Sequence, residues 1–183
     1  GYRLKHRLFF AVDFNEEVKR ELYGHAEKFA RPVGLRVTSP GHLHITLRFL
    51  GDTDESLIPS LTGEMTDFLS QMAGLKCRFT KFGFFYQNRL PTVFYVNCEV
   101  TPQFLDLSSR LEQELTALGF PNSDKRFVPH LTFSRLKRDP GKNFITEVLS
   151  AAPLNIEAEI EKTVLFKSEL QRSGAVYSVI KQY

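Results

Sequence analysis

Residues 41–51 read GHLHITLRFLG, and their alternation of apolar and polar side chains predicts a β-strand. Successive side chains of a strand point to opposite faces. One face is apolar throughout and consists of Leu43, Ile45, Leu47 and Phe49. The other face carries an imidazole, a hydroxyl and a guanidinium, those of His44, Thr46 and Arg48. Such a row of reactive groups indicates that this strand contributes chemistry as well as core packing.

A second stretch, residues 129–135, reads PHLTFSR and repeats the His-x-Thr pattern 86 positions later (130 − 44). In both places the His-x-Thr strand ends a unit of strand, helix and strand. One unit begins at Arg7, with His44 37 positions on (44 − 7), and the other begins at Thr92, with His130 38 positions on (130 − 92). We interpret this regularity as an internal duplication. Two similar halves that face each other would bring both motifs to one cleft, where ligands usually bind.

The remaining periodicities predict helices that alternate with strands. Helices are expected over about 16–30, 56–72, 104–118 and 144–151, the third ended by Gly119. Strands are expected over 7–14, 35–38, 75–85, 93–100, 127–136, 156–166 and 175–180, with a loop at 86–91. No Gly/Ser-rich linker separates the halves, so residues 1–183 are predicted to form a single bilobal domain of two pseudo-symmetric, interleaved lobes.

Composition limits the classes of protein. Hydrophobic residues make up 42% of the chain and charged residues 25%, which is typical of a soluble globular protein. The absence of a long apolar run and of a signal-peptide pattern predicts a cytoplasmic protein that does not enter a membrane. Cys77 and Cys98 lie in apolar runs without metal-ligand spacing and are predicted to be buried thiols. A net charge of +3 is compatible with a phosphate-bearing substrate.

The two His-x-Thr stretches resemble the two signatures of the 2H phosphoesterase superfamily, and specifically its RNA 2′,3′-cyclic phosphodiesterase (LigT/ThpR-like) family. Residues 7–12, 118–120 and 165–170, with Gly174 and Tyr177, are similar to other parts of that family, so the resemblance covers nearly the whole chain. Phe133 and Lys167 depart from its usual residues. The resemblance implies an α+β fold with two antiparallel sheets that flank a central cleft and helices on the outer faces. It also implies hydrolysis of RNA terminal 2′,3′-cyclic phosphates to 2′-phosphomonoesters.

The motif residues suit that reaction without a metal or another cofactor. Histidine can donate or accept a proton near neutral pH, and a pair predicts a bell-shaped pH profile. The resemblance implies that His44 is the proton donor and His130 the proton acceptor. Thr46 and Thr132 share the faces of these histidines, where their hydroxyls can bind phosphate oxygens. No further carboxylate or cysteine set has metal-ligand spacing, so we predict metal-independent hydrolysis.

The arginines and aromatic residues provide further candidates. Period two places Arg48 on the His44 face, as a phosphate ligand, but places Arg135 opposite His130. The resemblance nevertheless assigns substrate phosphate to Arg135, which implies that this strand bends or ends there. Phe84 and Tyr86 are candidates for stacking on a base.

Two other readings of the same residues stay open. One is another 2H activity, either 2′-5′ RNA ligation or 2′-5′ phosphodiester cleavage. The other is an RNA- or nucleotide-binding module that does not turn over its ligand. In every case the expected partner is an RNA or nucleotide phosphate end, and nothing in the sequence requires a protein partner, which predicts a monomer.

Overall fold

Eight strands form one antiparallel sheet in a computed structural model of the chain, which describes residues 4–122 and 126–183. They are β1 (Lys5–Asp13), β2 (Ile45–Asp54), β3 (Lys76–Gln87), β4 (Leu90–Val100), β5 (His130–Arg135), β6 (Ile156–Glu159), β7 (Lys162–Gln171) and β8 (Gly174–Gln182). Their order across the sheet is β6-β3-β4-β5-β2-β1-β7-β8. The sheet with its helices confirms the predicted α+β class.

The sheet has two four-stranded halves that meet at one residue pair. Between β2 and β5 the described residues include the single pair Ile45 and Leu131, the middle residues of the two His-x-Thr motifs. The halves β6-β3-β4-β5 and β2-β1-β7-β8 correspond to the two sheets that the resemblance implied. The fold therefore places the two motifs side by side at its centre.

The offset of 86 residues extends well beyond the motifs. Helix α1 (Glu16–Ala30) and helix α3 (Pro102–Ala117) begin 86 residues apart (102 − 16), as do β3 and β7 (162 − 76). Both helices follow the first strand of their unit, and each has a side-chain cap, from Asn15 and Thr101 respectively. These equal offsets support the interpretation of the chain as an internal duplication.

One predicted helix, two predicted strands and one predicted loop differ from the structure. The helix expected over 56–72 is interrupted: a 3₁₀ turn and a single α-turn, α2 (Ile58–Leu61), are followed by a 3₁₀ helix over Glu64–Met72. Gly63 is extended there, with ψ of −175°, and the Thr66 hydroxyl bonds to the carbonyls of Leu61 and Gly63 in place of a regular helix. Residues 35–39 form no strand.

The third difference concerns the strand expected over 156–166, which is two strands in different halves. β6 pairs with β3, and β7 pairs with β1. The loop expected at 86–91 is shorter than predicted, because Asn88 and Arg89 make a tight turn with φ of 51° and 66°.

Apolar side chains cover one face of the sheet and pack against the helices. Seven phenylalanines are among the largest side chains with less than 3% exposure: Phe10, Phe14, Phe79, Phe94, Phe104, Phe133 and Phe144. Helix α4 (Lys142–Ser150) contributes the last of them. Cys77 and Cys98 are buried free thiols in this core, as predicted. The core therefore occupies one face of the sheet and leaves the other face available to the motifs.

Candidate active site

The pairing of Ile45 with Leu131 orients both motifs. These two side chains are buried, with 1% and 0% exposure, so they belong to the core face. Their neighbours His44, Thr46, His130 and Thr132 therefore project from the opposite face. Because the strands run antiparallel, Thr46 lies on the side of His130 and Thr132 on the side of His44. The structure thus brings all four predicted motif residues together.

The imidazole of His44 is fixed by hydrogen bonds at both nitrogens. Nδ1–H donates to the carbonyl oxygen of His42 at 2.7 Å, and Nε2 lies 3.1 Å from the Thr46 hydroxyl. Because a carbonyl only accepts, Nδ1 carries the proton and Nε2 is the nitrogen that can exchange one. Rings of Phe9 and Tyr177 lie 5.2 and 5.8 Å from the imidazole. Desolvation lowers the pKa of His44 to about 4, against smaller opposing effects of the hydrogen bond to His42 and the charge of Asp13.

His130 repeats this arrangement. Its Nδ1–H donates to the carbonyl oxygen of Val128 at 2.6 Å, again two residues earlier in the chain. Phe85 meets the ring edge-on at 4.8 Å, and Tyr95 lies at 5.4 Å. Desolvation lowers the pKa of His130, the hydrogen bond to Val128 opposes this, and the positive charge of Arg135 lowers it further. Both reactive Nε2 atoms therefore belong to imidazoles that favour the neutral form.

A β-bulge in β5 brings Arg135 to the cleft. Tyr95 of β4 is opposite Thr132 and Phe94 is opposite Ser134, so Phe133 has no partner on β4. The extra residue resets the alternation, and both Phe133 and Ser134 are buried. Arg135 is exposed and close enough to His130 to influence its pKa, and its guanidinium lies 5.9 Å from the ring of Phe49. The bend that the resemblance implied is thus a bulge directly after the motif.

A bulge at the equivalent place in β2 turns Arg48 away. Leu47 has no partner on β1, since Ala11 is opposite Thr46 and Phe10 is opposite Arg48. The expectation that Arg48 shares the His44 face is therefore wrong. Its side chain is 13% exposed, lies 3.4 Å from a carboxylate oxygen of Glu112 on α3, and donates to the carbonyl of Pro121. Arg48 joins the sheet to α3.

The two aromatic residues predicted to stack on a base make no ring contact with His44 or His130 in the described part of the chain. Phe84 is 6% exposed and stacks on Phe94 in the core, so packing accounts for it. Tyr86 is exposed, and its ring contact is with Phe84. The adjacent Phe85 is the aromatic residue of this strand that meets His130.

Sequence reasoning did not identify three of the residues that surround the histidines: Phe9, Tyr95 and Tyr177. Phe9, Phe85, Tyr95 and Tyr177 contact the two imidazoles. The sequence contained one indication of these surroundings, the glycine at position 83 in the middle of a strand. A Cβ there would lie 2.7 Å from the Tyr95 ring, which explains why the residue is glycine.

A partly buried ion pair also lies next to the turn that holds His44. The ammonium of Lys19 donates to Asp13 at 3.0 Å and to the carbonyl of Gly41 at 3.3 Å. Gly41 belongs to the 3₁₀ turn Pro40–His42, which also supplies the carbonyl that holds His44. A cavity of about 190 Å³ opens beside this turn, with Asp13, His42, His44, Phe166 and Tyr177 among its lining residues.

Searches of the described residues for two other features gave no result. Across 4–122 and 126–183, no group of three or more His, Cys, Asp or Glu side chains is placed to hold a metal ion. In the same residues no helix combines the length and the apolar character needed to cross a bilayer. Metal independence stays a prediction.

Comparison with known proteins places this geometry in a family. The model of the 2′-5′ RNA ligase superfamily matches residues 26–172. A protein of Thermotoga maritima named RNA 2′,3′-cyclic phosphodiesterase is 31% identical over 176 residues, which is 95% of this chain and 92% of the relative. One of the same name from Thermus thermophilus is 32% identical and covers 97% of this chain and 89% of its own.

Solved structures have the same fold. The crystal structure of TT0787 of Thermus thermophilus has a TM-score of 0.81 and 29% identity, over 97% of this chain and 96% of its own. The crystal structure of Escherichia coli LigT complexed with NADP+ has a TM-score of 0.76 and 21% identity, over 98% of this chain and 97% of its own. The second similarity concerns the fold alone.

Proposed function

The chain belongs to the 2′-5′ RNA ligase superfamily, and we propose that it hydrolyses the 2′,3′-cyclic phosphate at the end of an RNA to a 2′-phosphomonoester. Relatives that match nearly the full length carry the name RNA 2′,3′-cyclic phosphodiesterase, which supports this reaction class. The proposal includes the cytoplasmic location and the monomeric state predicted from the sequence, and size-exclusion chromatography tests the latter.

One observation carries the proposal. Two imidazoles project from the same face of the sheet, on either side of the Ile45–Leu131 pair, and each donates its Nδ1–H to the carbonyl two residues earlier. The hydrogen bond fixes the tautomer and leaves Nε2 as the reacting nitrogen in both rings. A proton donor and a proton acceptor in fixed positions are what hydrolysis of a cyclic phosphodiester needs.

The reaction then follows from these positions. The Nε2 atom of His130 takes a proton from a water molecule as its oxygen attacks phosphorus. The bond from phosphorus to the ribose 3′-oxygen breaks, and His44 gives its Nε2 proton to that oxygen, which leaves a 2′-phosphomonoester. Each such proton transfer typically contributes about 10²- to 10⁴-fold in rate. The negative charge of the substrate favours the protonated imidazole that the donor requires.

Thr46, Thr132 and Arg135 stabilise the charge that develops on phosphorus. Hydroxyls donate to non-bridging phosphate oxygens, and a guanidinium can bind two oxygens at once. Within the described residues the Arg135 guanidinium makes no ion pair, so its charge is available to the substrate.

Activity in chelator tests the proposal directly. The purified chain should open a nucleoside 2′,3′-cyclic phosphate in EDTA, and His44→Ala and His130→Ala should each lose about 10²- to 10⁴-fold in kcat. His25→Ala, a change on α1 outside the motifs, is the matched control. Retention of activity by either motif variant contradicts the assignment, and binding without turnover in the unchanged protein would indicate a binding module instead.

Product analysis separates the related activities. Phosphorus NMR should show a 2′-phosphomonoester as the product. A preference for joining or cleaving 2′-5′ linkages over opening the cyclic phosphate would assign the chain to another activity of the family. The kcat/KM profile should be bell-shaped, with limbs that belong to the coupled histidine pair.

A further inference from the structure

A second cavity lies next to the end of β5 that carries Arg135. Its volume is about 380 Å³, and it is an open groove between the β3–β4 turn and the segment that follows β5. Gln87, Asn88, Thr92, Leu136, Lys137 and Arg138 are among its lining residues. Leu136 directly follows Arg135, and its N–H donates to the carbonyl of Thr92 at 2.9 Å. The groove is therefore continuous with the end of β5 that carries Arg135.

Two exposed cations line the groove. Lys137 and Arg138 are exposed, and within residues 4–122 and 126–183 neither makes an ion pair. Asp139, the one acidic lining residue, accepts a hydrogen bond from the N–H of Gly141. Arg89 lies in the adjacent turn. The positive charge of this surface is thus not neutralised by the fold.

The position and shape of the groove fit a chain that continues from the active site. Arg138 is three residues beyond Arg135, so at about 3.3 Å per residue their Cα atoms are at most about 10 Å apart. An open groove admits a polymer that enters and leaves. Amide and hydroxyl groups of Gln87, Asn88 and Thr92 add hydrogen-bonding partners for ribose, while lysine and arginine bind phosphate.

We propose that this groove binds the phosphodiester backbone of the RNA nucleotides that precede the terminal cyclic phosphate. The inference rests on the proposed function, because it takes the active site to hold the RNA end. In this arrangement Lys137 and Arg138 bind phosphates of the preceding nucleotides, whereas the motif residues and Arg135 act on the terminal phosphate. Single-stranded RNA is favoured because an unpaired strand can follow an open groove with its phosphates towards the cations.

Two substrates of different length test the groove. One is a mononucleoside 2′,3′-cyclic phosphate, which reaches only the active site, and the other is an eight-nucleotide RNA with the same terminal nucleoside and cyclic phosphate. Each phosphate of a single strand that a cation neutralises contributes about −0.7 to the slope of log K against log salt concentration. At about 0.15 M salt this contribution is worth about fourfold in affinity relative to about 1 M salt. The double variant Lys137→Ala/Arg138→Ala should therefore lower the ratio of kcat/KM for the oligomer to that for the mononucleoside by about tenfold. It should also reduce the salt slope for the oligomer by about 1.4.

The control variant removes one lysine and one arginine from a distant part of β3. Lys76 and Arg78 are exposed and lie at the opposite end of β3, about 30 Å from Gln87 at the usual rise of a strand. Lys76→Ala/Arg78→Ala should leave the ratio of the two substrates unchanged. An unchanged ratio in the Lys137/Arg138 variant, or an equal fall in the control, overturns the inference.

A binding measurement separates this inference from the proposed function. If neither substrate is hydrolysed, the proposed function fails, but the groove is still tested by fluorescence anisotropy with a labelled RNA octamer that ends in a 3′-phosphate. Its affinity should fall about tenfold in the Lys137/Arg138 variant and be unchanged in the control. Tighter binding of poly-glutamate than of the octamer would assign the groove to an acidic protein segment and contradict the RNA assignment.

Discussion

Replacing Arg135 and Arg48 separately tests whether the two bulges assign opposite roles to residues that look alike in sequence. The structure places Arg135 at the cleft and joins Arg48 to Glu112. A charge-assisted hydrogen bond is worth about 1.5–3 kcal/mol. At 1.36 kcal/mol per tenfold, Arg135→Ala should lower kcat/KM for a nucleoside 2′,3′-cyclic phosphate by about 10- to 150-fold. Because Arg135 is exposed, the free energy of unfolding should change by less than about 0.5 kcal/mol.

Arg48→Met should have the opposite profile. Methionine retains most of the aliphatic volume but loses the contacts with Glu112 and the carbonyl of Pro121. Loss of these contacts would cost about 1.5–3 kcal/mol if both partners were fully buried. Glu112 is 34% exposed, and Nη1 of Arg48 is buried without a partner among the described residues, so removal of that group offsets part of the loss. We expect a stability loss of about 1 kcal/mol and little change in turnover.

Two measurements on each variant decide the matter. Steady-state kinetics give kcat/KM, and urea denaturation gives the free energy of unfolding. Arg135→Lys should recover part of the lost activity, because lysine keeps the charge but not the planar fork. If Arg48→Met loses as much turnover as Arg135→Ala while its stability is unchanged, the bulge does not turn Arg48 away from the substrate and the reasoning fails.

Three further perturbations follow from the surroundings of the histidines. Because the pKa of His44 is about 4 in the folded chain and 6.5 ordinarily, the unfolded chain binds the proton more readily, and stability should fall by up to about 3 kcal/mol as pH drops from 6.5 to 4. Urea denaturation at several pH values should show this slope, and His44→Gln should flatten it. Lys19→Met removes a positive charge and the donor to Gly41, so the pKa of His44 measured by NMR should rise and kcat should fall more than KM changes. An unchanged pKa would contradict the coupling. Gly83→Ala places a Cβ against the Tyr95 ring and should displace it, with a stability loss of about 1 kcal/mol by thermal denaturation and a several-fold fall in kcat. Full activity in this variant would mean that Tyr95 does not support the site.

The sequence predicted the central features because they depend on period and spacing. Alternation identified the faces of His44 and Thr46, and the repeat of 86 residues anticipated that both motifs meet, which the pairing of Ile45 with Leu131 bears out in geometry. The bulges were not predictable from period two, because one unpaired residue in each strand inverts every position after it. The Arg135 position was reached only through resemblance.

The interrupted helix over 56–72 shows a second limit of pattern reasoning. Its apolar stripe is real, since Leu61, Phe68, Leu69 and Met72 are buried in the core. The same spacing of apolar residues is satisfied by short 3₁₀ and α-turns, and Gly63 and Thr66 decide between these and one continuous helix through local hydrogen bonds. Burial was therefore predictable where the backbone path was not.

The similar backbone of the two motifs explains both the likeness and the difference of the two histidines. Each motif ends in a bulge one residue after its threonine, so the second residue after the threonine turns inwards and the third faces the cleft. In one half these two residues are Arg48 and Phe49, and in the other they are Ser134 and Arg135. The shared backbone gives both imidazoles the same hydrogen bond to a carbonyl two residues earlier. The third position then differs between the halves: it is Phe49 in one and Arg135 in the other, and the Arg135 guanidinium lies 5.9 Å from the Phe49 ring. Because Phe49 takes the place of this cation in the other half, the charge of the cleft is asymmetric, and the proposed anionic substrate is expected to be drawn towards Arg135.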